Sequence, residues 1–149
     1  MSTHQQLLYH IVFSTKRRQS WLSEDIRDQV FAYIIGTAKA IDGVVLAIGG
    51  VEGHLHLLVR IPAKTAVSDF VRTLKSNSSK SIHETWQRLA QFAWQDGYGA
   101  FTVSPSNVEP VRTYILNQPE HHRRISFQEE YLKLLERHSV EFDPRYVFE

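Results

Sequence analysis

Two histidines flank one leucine in Gly53-His54-Leu55-His56-Leu57-Leu58-Val59, and the run stays apolar and β-branched to Ile61. On a strand, successive side chains alternate faces, so His54 and His56 point one way while Leu55 and Leu57 point the other. Two imidazoles side by side form half of a site for a divalent metal. They can equally be surface histidines of a half-buried strand, and His-x-His alone does not choose. A second stretch, Tyr114-Ile115-Leu116-Asn117-Gln118, puts a phenol and an amide four residues apart on a predicted helix, one above the other. A tyrosine there can be half-buried core, and a glutamine one turn away can be surface filler.

The chemistry the chain excludes is clearer. It has no cysteine, so disulfides, zinc ribbons and thiol catalysis are ruled out, and any metal site must use His, carboxylates, amides or water. Gly49-Gly50-Val51-Glu52-Gly53 connects strand to strand with no helix start behind it, which reads as a hairpin turn and not a phosphate loop. No Walker loop or carboxylate cluster is present, so no nucleotide cofactor is expected.

These residues sit in a chain of 149 residues, 42% apolar and 11% aromatic, the profile of one globular domain over 1–149. The N-terminus has no basic region followed by an apolar run, and no 18-residue apolar stretch occurs, so a cytoplasmic protein without membrane contact is expected. Net charge is only +1, but the basic residues cluster. Lys16-Arg17-Arg18 is one group, Arg72, Lys75 and Lys80 a second, and His121-His122-Arg123-Arg124 a third; acidic residues gather at Glu24-Asp25 and from Glu129 to Glu149. Such a distribution allows a basic side on a nearly neutral molecule.

In order, Leu7 to Thr15 alternates as a first strand, with Leu8, His10, Val12 and Ser14 on one face and Tyr9, Ile11 and Phe13 on the other. Ser23 is the expected cap of a helix carrying Ile26, Val30, Tyr33 or Ile34, Thr37, Ala38 and Ile41 on one stripe, stopped by Asp42-Gly43. Val44–Ile48 and the His54 strand form a hairpin. A second helix spans about 66–86, with Val67, Phe70, Val71, Leu74 and Ile82 inward and a small, polar middle that suits either solvent or a phosphate backbone. Residues 87–97 connect to a fourth strand over 98–104. A third helix bears Val108, Val111 and Ile115 and ends near Pro119, and Ser126-Phe-Gln-Glu129 has the capping-box spacing that opens a last helix to about His138. The order predicts an α+β fold: a ferredoxin-like split βαβ antiparallel sheet with helices on one face and a C-terminal helical extension.

Taken together, Tyr9-His10-Ile-Val-Phe-Ser-Thr, Gly53-His54-Leu-His56-Leu-Leu-Val, Gly97-Tyr98-Gly and Tyr114-Ile-Leu-Asn-Gln118 occur in an order and spacing that resembles one family over nearly the whole chain. This is the HUH single-tyrosine transposases of bacterial insertion sequences, with the related transposases associated with repeated extragenic palindromes. The resemblance implies that His54, His56 and Gln118 are metal ligands for Mg²⁺ or Mn²⁺ and that Tyr114 is the nucleophile. It implies cleavage and rejoining of single-stranded DNA with hairpin-flanked ends through a 5′-phosphotyrosine. It also implies a homodimer in which the tyrosine helix of one subunit completes the other's site. Lys16, Arg17, Arg18, Arg72, Lys75 and Lys80 are the candidate DNA-binding residues.

No acidic residue in these motifs is an obvious general base, and His10, His83 and His121 stand unranked as proton acceptors. Two other readings share the fold plan. One is a non-catalytic single-stranded nucleic-acid-binding module, whose sheet would stack bases on aromatics; here the first and third strands offer His10, His54 and His56 instead. The other is a domesticated relative, competent in catalysis but no longer mobilising its own element.

Overall fold

The computed structural model describes residues 1–149. Four antiparallel strands, β1 (Leu8–Ser14), β2 (Val44–Val51), β3 (His54–Arg60) and β4 (Gly99–Thr102), form one sheet in the order β2-β3-β1-β4. With α1 (Glu24–Ala40) after β1 and α2 (Val67–Thr85) after β3, this is the expected split βαβ plan. Leu8, Val12 and Leu58 and the three histidines occupy one face of the sheet, and Ile11, Phe13, Leu55, Leu57 and Val59 the other.

The second of these faces holds the main core. Ile26, Val30, Ile34 and Ala38 recur every four residues along α1, and Phe70, Val71, Leu74 and Ile82 do the same work on α2; all are buried against the sheet. Each such aliphatic side chain contributes roughly 2 kcal/mol by leaving water. Ser23 begins α1, although its hydroxyl bonds Asp25 and not a backbone N–H. Asp42, at φ 65°, and Gly43 end it.

The histidine face is covered by the C-terminal helices α3 (Val108–Leu116), α4 (Gln118–His121) and α5 (Phe127–Arg137). Ile115 of α3 packs on Ala47 and Leu58, and Leu134 and Leu135 of α5 pack on Val12 and Phe101. The extension is therefore the lid of the histidine face. Ser126 caps α5, its Oγ accepting from Glu129 N at 3.2 Å.

Three details differ from the sequence expectation and matter for the site. β2 runs on through Gly49 and Gly50 to Val51, leaving Glu52-Gly53 as a two-residue turn. β4 is only four residues long. Tyr114 and Gln118 do not share one continuous helix: α3 stops at Leu116, Asn117 leaves helical geometry, and α4 starts at Gln118. Pro119 explains the break, because it cannot donate to the Ile115 carbonyl and its ring crowds that carbonyl. The freed carbonyl lies on the sheet, where a Cβ on Gly49 would meet it at 2.0 Å. Gly49 is the cross-strand partner of His56, so α3 docks directly beside the histidine pair.

Candidate active site

β3 places His54 and His56 two residues apart on the covered face, and β1 places His10 on the same face, paired with Leu58 next to them. All three are buried. His10 Nε2 and His56 Nδ1 are 2.8 Å apart. Burial first, and then the neighbouring His56, lower the pKa of both His10 and His54 to about 3, so both are neutral at pH 7.

The α3–α4 break brings Gln118 to these histidines. Its amide is fully buried, its Oε1 accepts from His54 Nε2 at 3.1 Å, and its Nε2 donates to Glu130 Oε2 at 3.1 Å. Tyr114, half-buried on the last turn of α3, stands edge-on to His56 with ring centroids 5.7 Å apart. Its hydroxyl donates to Glu130 Oε2 and lies 3.4 Å from His121 Nε2. The Tyr114 ring also lines a cleft of about 550 Å³ with His10, Asn107, Arg137 and His138.

Glu130, in the first turn of α5, is the residue that sequence reasoning missed. It is 2% exposed, and its two oxygens divide the site. Oε1 faces His56 Nε2 at 3.0 Å, His122 Nε2 at 3.1 Å and His54 Nε2 at 3.5 Å. Oε2 faces Tyr114, Gln118 and His121. Burial works to raise its pKa, but hydrogen bonds from His122, His56 and Tyr114 and the charge interaction with His56 win and hold it far below the usual carboxylate range. Burial and then the Glu130 contact push the Tyr114 phenol well above its ordinary value. One signal was present in the sequence: Glu130 falls on the stripe of Phe127, Tyr131 and Leu134, where a carboxylate has no reason to sit unless it is partnered.

His54, His56, His122 and Glu130 offer donor atoms all within 4.8 Å of one another, a grouping able to hold a metal ion. Of the three histidines weighed as proton acceptors, the fold brings His10 and His121 here. His83 goes elsewhere, bonding the Phe92 carbonyl at 2.7 Å. Tyr98, of the Gly97-Tyr98-Gly motif, is an exposed tyrosine outside this cluster and lines a cleft with Arg72 and Lys75.

The basic clusters converge through one segment. Lys16–Arg18 form a 3-10 turn after β1, where Arg17 N donates to Gln95 Oε1 at 2.9 Å. Lys75 Nζ donates to Gln95 O at 2.6 Å and Gly97 O at 2.8 Å. Arg72 is exposed and paired with Asp69, and Lys80 is exposed on α2. Lys75 is thus partly committed to holding the β4 approach. No helix is long and apolar enough to cross a membrane.

Residues 3–118 match the family model described as "Transposase IS200 like". The chain belongs to the IS200-like transposase family. It is 33% identical over 119 residues to the transposase for insertion sequence element IS200 of Salmonella typhimurium, spanning 75% of this chain and 76% of that one. It is 25% identical over 118 residues to the ISDra2 transposase TnpA of Deinococcus radiodurans, spanning 76% and 84%. Two solved structures share the fold. A putative transposase from Deinococcus radiodurans R1 superposes with TM-score 0.66 at 24% identity, covering 79% of this chain and 95% of that one. A REP-associated tyrosine transposase bound to a REP hairpin gives 0.62 at 16%, covering 84% and 76%. The IS200-like match ends at Gln118, so His122 and Glu130 reach the site from chain beyond it.

Proposed function

We propose that this IS200-like transposase cleaves and rejoins single-stranded DNA with hairpin ends, using Tyr114 as nucleophile and a divalent cation, Mg²⁺ or Mn²⁺, held by His54, His56 and Gln118. The observation that carries the reading is the placement of the Tyr114 hydroxyl against the same buried cluster that gathers His54, His56 and Gln118. The donor set fits a divalent cation: imidazole nitrogens, an amide oxygen facing His54 and a carboxylate, with donor atoms of His54, His56, His122 and Glu130 all within 4.8 Å of one another. When bound, the cation neutralises charge developing on the phosphate oxygens.

Tyr114 Oη forms the new bond to phosphorus as the bond to the 3′ oxygen breaks, leaving a 5′-phosphotyrosine and a free 3′-OH. The phosphodiester energy is kept in that link, so a second DNA end can be joined without a nucleotide. Glu130 Oε2, already hydrogen-bonded to the phenol, is placed to take its proton. With the phenol pKa raised and the carboxyl lowered, that transfer is uphill in the site without substrate. His10 orients His56 through its Nδ1. The cleft beside Tyr114, with Arg137 and His138, gives the phosphate its approach.

The resemblance also implies a homodimer, which we retain as the assembly. Within one chain the Tyr114 hydroxyl reaches the Glu130 carboxylate, which supports a tyrosine that acts in its own subunit. The basic turn Lys16–Arg18 and the Arg72, Lys75 and Lys80 row are the surfaces we assign to the DNA backbone, and affinity should fall with salt.

Labelled single-stranded DNA from the gene's own flanks, incubated with and without Mn²⁺ and run on denaturing gels, tests the reading. A covalent band is expected with the wild type, absent in Tyr114→Phe and retained in Tyr98→Phe. The opposite pattern would move the nucleophile to Tyr98.

A further inference from the structure

The IS200-like match stops at residue 118, yet the polar cluster around His54 and His56 is completed by two side chains that lie later in the chain. His122 follows α4 and Glu130 opens α5. His122 is held as metal-bound histidines are held: its Nδ1 donates to the Ile125 carbonyl at 2.9 Å, which aims Nε2 at Glu130 Oε1, 3.1 Å away. Around the same oxygen stand His56 Nε2 at 3.0 Å and His54 Nε2 at 3.5 Å. These separations, set here by hydrogen bonds to the carboxylate, also suit neighbouring ligands on one ion, since two donors each about 2.1 Å from a metal lie roughly 3.0 Å apart at right angles and 3.4 Å apart at the tetrahedral angle.

We infer that Glu130 and His122 are ligands of the same divalent cation as His54 and His56, so that the segment after Gln118 converts a two-histidine site into a three-nitrogen, one-carboxylate site. The inference rests on the metal-dependent reading above and deepens it. Gln118 Oε1, 3.1 Å from His54 Nε2, would add a fifth donor. The consequence is selectivity. Mg²⁺ takes oxygen ligands and loses its waters reluctantly, whereas imidazole nitrogens favour Mn²⁺ and the later first-row ions. This chain therefore loads Mn²⁺ without DNA and keeps it against Mg²⁺. The other oxygen of Glu130 carries the Tyr114 hydrogen bond, so the carboxylate ties the nucleophile to the ion's position.

The test is metal binding by the full-length protein without DNA, read by the electron paramagnetic resonance of free Mn²⁺ and by the visible spectrum of added Co²⁺. Wild type should bind one Mn²⁺ per chain and retain it in excess Mg²⁺. Glu130→Gln and His122→Ala should each weaken Mn²⁺ by roughly tenfold or more and change the Co²⁺ bands. His122→Ala repeats the test from a less buried position if Glu130→Gln does not fold. Wild-type affinity and an unchanged Co²⁺ spectrum in both variants would overturn the inference and leave the His54, His56 and Gln118 site standing. Tighter Mn²⁺ binding in Glu130→Gln would overturn it too, making the carboxylate an occupant of the metal's place. No Mn²⁺ binding by the wild type, with cleavage unaffected by a chelator, would remove the metal-dependent reading itself.

Discussion

Glu130 Oε2 accepts the hydroxyl hydrogen of Tyr114, across 16 residues of chain and from a different helix, while the other oxygen of the same carboxylate faces three histidines. A single buried charge thus couples the proposed nucleophile to the proposed metal ligands. α5 is not merely a cover for the sheet: it supplies the anion around which the histidine face is organised.

Removing that anion should cost more than removing the hydroxyl. Tyr114→Phe deletes one hydrogen bond to a charged group, worth about 1.5 kcal/mol, and leaves Glu130 with Gln118 and His121. Glu130→Ala leaves His56, His122 and Gln118 facing one another without an acceptor, and should destabilise the metal-free protein by about 3 kcal/mol. Urea titrations of the two variants check the order. A smaller loss for Glu130→Ala would mean that the cluster is wet and already compensated.

Acid should destabilise the metal-free protein. His10 and His54 have folded pKa values lowered to about 3 from an ordinary 6.5, so between those limits the unfolded chain binds more protons and stability drops as pH falls. Each contributes about 1.4 kcal/mol per pH unit in that window. Glu130, depressed far below its ordinary 4.5, adds a loss of the same sign below that pH. Unfolding free energy measured from pH 7 to pH 5 should decline, and His10→Gln should shallow the slope. A flat profile in the wild type would show that these histidines take up protons without unfolding.

Whether the tyrosine works in its own subunit can be read by mixing inactive variants. Tyr114→Phe has intact histidines, and the double variant His54→Ala, His56→Ala has an intact tyrosine. With the site closed within one chain, mixing them should restore no covalent adduct. Adduct formation in the mixture would show that α3 is exchanged between subunits despite its docked position here.

Gly49 offers a handle that touches no chemistry-bearing group. A Cβ there would stand 2.0 Å from the Ile115 carbonyl, so Gly49→Ala should push α3 off β2. Overpacking of this kind costs roughly 1–3 kcal/mol, and the displacement carries Tyr114 away from His56. Adduct formation should fall steeply while Mn²⁺ binding changes less. Unchanged activity would mean that α3 accommodates the methyl without moving its last turn.

The sequence by itself determined the sheet and the pairing of functions on it. Alternation placed His10, His54 and His56 on one face, the βαββαβ order predicted the split βαβ plan, and Ser126-x-x-Glu129 located α5. These are local signals, set by side-chain period and capping chemistry within a few residues. What only the tertiary structure decided was long-range. Pro119 breaks the helix between Tyr114 and Gln118, and the two side chains still converge because Gly49 lets the freed Ile115 carbonyl rest on the sheet. His122 was legible only as part of a basic cluster, and Glu130 only as a carboxylate on the apolar stripe of α5, which does not name its partners. Nothing in the chain's periodicity says that α5 folds back over β1, and only that docking buries the carboxylate among histidines 74 and 8 residues away in sequence.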